Sequence, residues 1–341
     1  MIEAASELIS PAPRGESSPE VPPDPWSALT TIDEKRKWYG LETYFRQSWA
    51  DARCVLGGDA ERALQRVALA TLKPEAFGGR KGGGILSFLL RNDFVPLAAA
   101  RVRYTRHTIN EIWRFQWNRA TLDRVALAEE LYTKGDSLLL VLRDRASGAD
   151  LPTTVRLATL KGPAHPELQS SRHVRRAVLA PNRVMTMLHC TDEPADVVRE
   201  LGILFEQHER ADLYRRIGSA TGDAMMEATT EIRRLEEEVE EVDLDLDAAA
   251  ERVMLALSRE DAACREAADM LRRSLESGSP LPWRAFDRVL EQAATAGVTI
   301  GAWDRLTIGA FLLLPDRPGT VCVIDGNGYD GWVAGDGLVL S

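Results

Sequence analysis

His189 closes an apolar run formed by Val184, Met185, Met187 and Leu188. It stands before a short polar turn and a segment carrying Val197, Val198, Leu201, Leu204 and Phe205 at helical spacing. A strand that ends on an imidazole and turns into a helix sets that ring beside a helix N-terminus, where the dipole is positive and unpaired N–H groups point outward. Such a place disfavours imidazolium and suits phosphate oxygens. A neutral imidazole next to a phosphoryl group is a nucleophile. Thr191 or Asp192 is placed to cap the helix, with Pro194 in its first turn. Glu200, eleven residues after His189, can reach back to the second ring nitrogen and fix the tautomer. A histidine at a strand end more often does no more than make a hydrogen bond there, so the reading depends on what else gathers around it.

An oligophosphate needs several cations spread along it, and the planar fork of arginine suits phosphate. Lys73 ends a strand-like stretch in "LATLKPEAF", where Pro74 stops the strand, and Arg156 and Arg172 lie upstream of the histidine. Each alone would ordinarily be an exposed surface charge. The glycine-rich "GGRKGGG" lacks the GxxxxGK[ST] pattern of a phosphate loop and reads as a flexible connection. Cys190 follows the histidine, but neighbours on a strand point to opposite faces, which disfavours a Cys/His pair. "DGNGYDG" lacks the alternating oxygen ligands and final glutamate of a calcium loop and reads as a turn.

The elements that would position these groups alternate. "RVALATLKP", "PLAAARVRYT", "DSLLLVLRD" and "NRVMTMLHC" read as strands. "GGILSFLLRNDF", the stretch from "TINEIW" to "AEELY", "PTTVRLATL" and "PADVVRELGILF" read as helices. That order argues for a layered sheet domain, α/β or α+β. Residues 26–65 read as a helical extension, and residues 1–25, with six prolines, as a disordered tail. From about residue 210 to residue 341 the pattern is helical. Met225, Ala228, Ile232, Leu235, Val239, Val242 and Leu246 step by three and four, which fits a helix packed inside its own domain better than a coiled coil. Further helices are expected at about 248–277 and 282–296, and short strands at "GAFLLLP", "TVCVID", "GWVAG" and "GLVLS".

Composition narrows the function classes. The chain has 341 residues and a net charge of −10, which argues against general nucleic-acid affinity. Its apolar runs are too short to span a bilayer. The N-terminus carries no basic stretch followed by an apolar core, so no signal peptide is read there. Four scattered cysteines with no CxxC pair disfavour a zinc site or a disulfide framework and suit a cytoplasmic protein.

Over residues 66–209 these motifs resemble the nucleoside diphosphate kinases. "LKPEA" is similar to the family's Lys-Pro-Asp-Gly, with Ala76 for glycine, and "HCTDEPADVVRE" puts His189, Thr191, Asp192 and Glu200 in the register of its histidine motif. "GDSLLLVL" looks like the family's Gly-Pro-Val-Val-Ala strand. "SSRHVRR" resembles its Thr-Ile-Arg-Gly-Asp motif, so Arg172, with Arg156, falls near its two phosphate-binding arginines. The sequence departs at Thr186, where the family has asparagine, with Asn182 the nearest. It also departs at Cys190, which replaces a glycine, and in lacking a His-Tyr helix motif, for which Trp113, Phe115 or Trp117 could substitute. The resemblance implies an α+β, ferredoxin-like βαββαβ core with a four-stranded antiparallel sheet. It implies transfer of a γ-phosphate from ATP or another nucleoside triphosphate to a nucleoside diphosphate, through a phosphohistidine at His189. Lys73, Arg156 and Arg172 would stabilise charge, Thr191 and Glu200 would orient the ring, Trp117 would stack on the base and Asn182 would contact the nucleotide. Mg²⁺ would be carried by the phosphates and not by protein ligands. A homo-oligomer is implied as well. Two other expectations fit the departures: a nucleotide-binding regulatory protein with weakened turnover, read out by a partner on the C-terminal helices, or a phosphotransferase with a non-nucleotide acceptor.

Overall fold

The computed structural model describes residues 26–146, 150–219, 223–259 and 261–340; the tail expected at 1–25 lies outside them. Four strands form one antiparallel sheet: β1 (Val67–Leu72), β2 (Phe94–Val102), β3 (Ser137–Asp144) and β4 (Leu188–Cys190), in the order β2-β3-β1-β4. A helical connection joins β1 to β2 and another joins β3 to β4, so the βαββαβ order and its α+β class are present. The helices Arg106–Ile112 and Leu122–Thr133 lengthen the link between β2 and β3.

Every residue of β1 is buried, because helices cover both faces of the sheet. Alternation sorts the side chains. Ala68, Ala70, Leu72, Leu140, Leu188 and Cys190 face one core, which they share with Phe77, Ile85 and the C-terminal helices. Val67, Leu69, Leu139 and Val141 face a second core, built with Phe45, Trp49, Val198 and Leu201 from the helices Thr43–Leu56 and Pro194–Leu204. Those two helices approach closely at Gly202, where a β-carbon would lie 2.4 Å from the carbonyl oxygen of Tyr44. His189 pairs with Thr71 of β1 while Cys190 pairs with Ala70, so the two point to opposite sides.

The strand expected over "NRVMTMLHC" shrinks to three residues. Asn182 Oδ1 accepts from the backbone N–H groups of Val184 and Met185, which folds the start of the stretch into a turn. Met187 then takes φ 66°, a left-handed conformation that breaks the extended path just before the histidine.

The C-terminal region differs more. The helix Met225–Glu238 buries Ala228, Ile232 and Leu235 in the core under the sheet and ends at Val239, so the expected seven-residue seam breaks there. The expected helix at 248–277 is two, Leu246–Ala256 and Ala262–Ser277, with Asp261 capping the second through the N–H groups of Ala263 and Cys264. The short strands expected at the end are absent among the described residues. "GAFLLLP" completes the helix Ala302–Leu312, "GWVAG" lies mostly in the helix Tyr329–Ala334, and the others are irregular, with one isolated bridge between Ala120 and Asp316. A short apolar run reads alike as strand or buried helix, and here two of the four runs fall in helices. No helix among the described residues is long and apolar enough to cross a membrane.

Candidate functional site

The sheet delivers His189 at the end of β4, and the helix Pro194–Leu204 delivers Glu200. His189 Nε2 lies 2.7 Å from Glu200 Oε1, in the range of charge-assisted hydrogen bonds. A carboxylate can only accept, so Nε2 carries the proton of the neutral ring and Nδ1 presents its lone pair. Among the described residues Nδ1 has no hydrogen-bond partner. The ring meets Trp113 edge-on, with centroids 5.2 Å apart, and Trp113 packs on Tyr132. The imidazole side chain is 18% exposed while Glu200 is nearly buried.

Two hollows meet at this ring. The larger, about 390 Å³, is walled by Trp113, Trp117, Tyr132 and His189 and carries Arg119, Arg124, Arg175 and Arg183. The smaller, about 290 Å³, lies among Lys35, Tyr39, Lys161, Asp192 and Glu200, and His189, Trp113 and Arg175 line both. A wider hollow of about 560 Å³ between the helices Leu122–Thr133 and Trp283–Thr295 holds carboxylates and arginines but no histidine or cysteine.

The cations at the ring differ from those expected. Lys73 does line the larger hollow, but it is buried. It is held 2.6 Å from Glu75, donates to the carbonyl of Val184 and lies over the Tyr132 ring. Burial pulls its pKa down, against the pull of Glu75. Arg156 lines neither hollow: it pairs with Asp144 at 2.8 Å, donates to the carbonyl of Asn92 and stacks over Phe94. Arg172 is exposed and also outside both hollows. Arg175, three residues after Arg172, lines the larger hollow instead. It is buried, donates to the carbonyl of Gly162, and keeps an Nε with no partner among the described residues. Arg124 comes from the helix after Trp117, and Arg183 follows Asn182. Burial lowers the pKa of both Arg124 and Arg175; on Arg124 the Asp316 carboxylate pulls the other way.

The other expected site residues are local braces or partial fits. The Thr191 hydroxyl accepts from Leu69 N–H at 3.0 Å, tying β4 to β1, and is not bonded to the imidazole or to Glu200. Asn182 spends its carbonyl on the turn before β4. Trp117 lines the larger hollow, with Arg124 over its ring at 5.9 Å, and its Nε1 is buried without a partner among the described residues. The helix tip is not an open anion site. Its cap is Glu193, not Thr191 or Asp192, in a capping box with Asp196. Glu193 further accepts from Thr30 at 2.5 Å and from the Thr31 N–H and the Trp332 Nε1, beside Lys35 at 3.0 Å. The dipole is therefore answered by the chain's own carboxylates, and the attraction for anions falls to the arginines.

No family model matches the chain, and no curated protein matches it. Among solved structures it is similar to a nucleoside diphosphate kinase from Encephalitozoon cuniculi, at 16% identity over 40% of this chain and 87% of that one, with a TM-score of 0.35. It is similar to the Aquifex aeolicus nucleoside diphosphate kinase at 21% identity over 41% of this chain and 95% of that one, TM-score 0.35. An NDP kinase from Pyrobaculum aerophilum aligns at 16% identity over 42% of this chain and 97% of that one, TM-score 0.32.

Proposed function

We propose that this chain is a phosphotransferase that moves the γ-phosphate of a nucleoside triphosphate to a nucleoside diphosphate by way of His189. The observation that carries this reading is the 2.7 Å bond from His189 Nε2 to Glu200, on the wall of a hollow that holds four arginines. Nδ1 would attack the γ-phosphorus, the bond from that phosphorus to the bridging oxygen would break, and the nucleoside diphosphate would leave with the electron pair. The positive charge that develops on the ring is met by Glu200, which accepts from the far nitrogen. An incoming nucleoside diphosphate then reverses the step through its own terminal oxygen. Arg124, Arg175 and Arg183 would stabilise the charge on the phosphates, with Lys73 at the end of β1. Trp117 is the aromatic face offered to a base.

Among the described residues no group of three or more His, Cys, Asp or Glu side chains could hold a metal ion. In this reading Mg²⁺ would be carried by the phosphate oxygens, where it would neutralise charge on the transferring group.

The test is to mix the chain with γ-labelled ATP and Mg²⁺ and then to add unlabelled nucleoside diphosphate. The expected result is label on His189, absent in a folded His189→Ala variant and released by the diphosphate. A chain that binds ATP yet never takes label would defeat the reading. The engagement of Lys73 by Glu75 favours a second one, a nucleotide-binding protein with weakened turnover. Equal ATP binding by wild type and His189→Ala, with no label on either, would support it. Label that forms but stays on the protein when diphosphates are added points to a non-nucleotide acceptor.

A further inference from the structure

Asp316 reaches the larger hollow from a part of the chain that the sheet does not use. It lies beyond the helix Ala302–Leu312, and its carboxylate enters among three of the four arginines. Oδ1 is 2.5 Å from Arg124 Nη1, and Oδ2 is 2.6 Å from Arg183 Nη2 and 3.1 Å from Arg119 Nη2. Three guanidinium groups share this one carboxylate, which leaves an excess of positive charge at the site. A single carboxylate is a poor match for that charge, and a phosphate chain with more negative charges and more acceptor oxygens is a better one.

The backbone around Asp316 is held almost entirely by one short stretch. Arg317 N–H donates to the carbonyl of Arg119, Val323 N–H to that of Phe115, and Thr121 N–H to that of Pro315. Asn118 donates to the carbonyl of Val321. Every one of these partners lies between residues 115 and 121, so apart from the Asp316 ion pairs and the buried Ile324 the segment is held by a single stretch. Val321 is 71% exposed and Leu314 43% exposed, and the apolar anchor of the segment is at its far end, where Ile324 is buried in the second core.

We infer that the Asp316 carboxylate stands in for a phosphate group: residues 314–323 form a strap over the arginine site, anchored beyond its end by the buried Ile324, and a polyphosphate ligand exchanges with Asp316 and releases it. The inference rests on the cavity being a phosphate site, as proposed above. It uses only the anion chemistry of the arginines and is independent of turnover at His189.

The test uses the full chain and inorganic tripolyphosphate as the probe. Calorimetry compares wild type with Asp316→Asn, which keeps the shape of the side chain and removes its charge. The variant is expected to bind roughly tenfold tighter or more, the scale of one charge-assisted hydrogen-bonded contact no longer given up. Hydrogen exchange on the wild type reads the strap directly: the Arg317 and Val323 amides are expected to lose protection when tripolyphosphate saturates the site. This second measurement stands even if the variant does not fold. Wild-type and variant binding of equal strength, with strap amides as protected as before, overturns the inference and leaves the phosphate reading in place. Binding by neither protein overturns both. Tighter binding by Asp316→Asn together with lost protection of the strap amides, without any label on His189, upholds the strap and removes only the transfer reaction.

Discussion

Replacing Glu200 tests the chemistry most directly. Its carboxylate is nearly buried, lies 2.7 Å from His189 Nε2, and has a second oxygen with no partner among the described residues, so its charge is directed at the ring. A hydrogen bond to a charged group is worth about 1.5–3 kcal/mol and a neutral one about 0.5–1.5. Glu200→Gln keeps an acceptor in place and loses the charge, about 1–1.5 kcal/mol, or roughly a tenfold slower phosphorylation at about 1.4 kcal/mol per decade. Glu200→Ala loses the whole bond and is expected to slow the step by roughly 10- to 150-fold. The assay is a single-turnover reaction with labelled ATP, quenched in base because the phosphorus–nitrogen bond is acid-labile. Nitrogen NMR of the ring gives a readout free of catalysis: the wild type is expected to hold the proton on Nε2, and Glu200→Ala to show a mixture of tautomers. If Glu200→Ala were phosphorylated at the wild-type rate and kept the same single tautomer, the carboxylate would have no part in setting the ring and the reasoning would be refuted.

Three further expectations concern the scaffold. Glu193→Ala leaves Lys35 buried beside a lost partner and orphans the Thr30, Thr31 and Trp332 donors; urea unfolding should show a loss of about 3–5 kcal/mol, and a loss below the error of that measurement would contradict the account. Gly202→Ala puts a β-carbon against the Tyr44 carbonyl; forcing the two helices apart should cost about 1–3 kcal/mol and lower the melting temperature, and an unchanged melting temperature would show that the contact is soft. Burial works against an ionised Asp192, but Lys161, at 2.8 Å, and Lys35 prevail and hold its pKa below the ordinary value. A depressed carboxylate stabilises the fold above its unfolded-state pKa, about 3.9, and that contribution is lost as the pH falls through the lower folded-state value. Lys161→Met should therefore move acid unfolding, followed by circular dichroism, to a higher pH; no movement would mean that the pair contributes nothing.

Much of the sheet is visible in the residues themselves. The strands at Val67–Leu72, Phe94–Val102 and Ser137–Asp144 each follow an apolar stretch bounded by turn or breaker residues. The C-terminal runs "GAFLLLP" and "GWVAG" are helical in the structure because a few apolar residues satisfy either period and the packing around them decides. Arg175 lies three positions from Arg172 in the same motif, but the loop before it takes a path that no local rule fixes, so the residues alone do not choose between the two.

What the sequence determines by itself is local: His189 and Cys190 on opposite faces of a strand, and Glu200 close enough in the next helix to hold the imidazole. Strand alternation and helical rise set these relations over a dozen residues, whatever the rest of the chain does. Only the tertiary structure decides which cations stand at the ring, that Glu193 caps the helix with help from both ends of the chain, and that Asp316 sits among the arginines. Those pairings depend on the path by which distant segments return. Each is settled by competition among many charged groups for few buried partners, so Arg156 goes to Asp144 and Arg124 to the hollow.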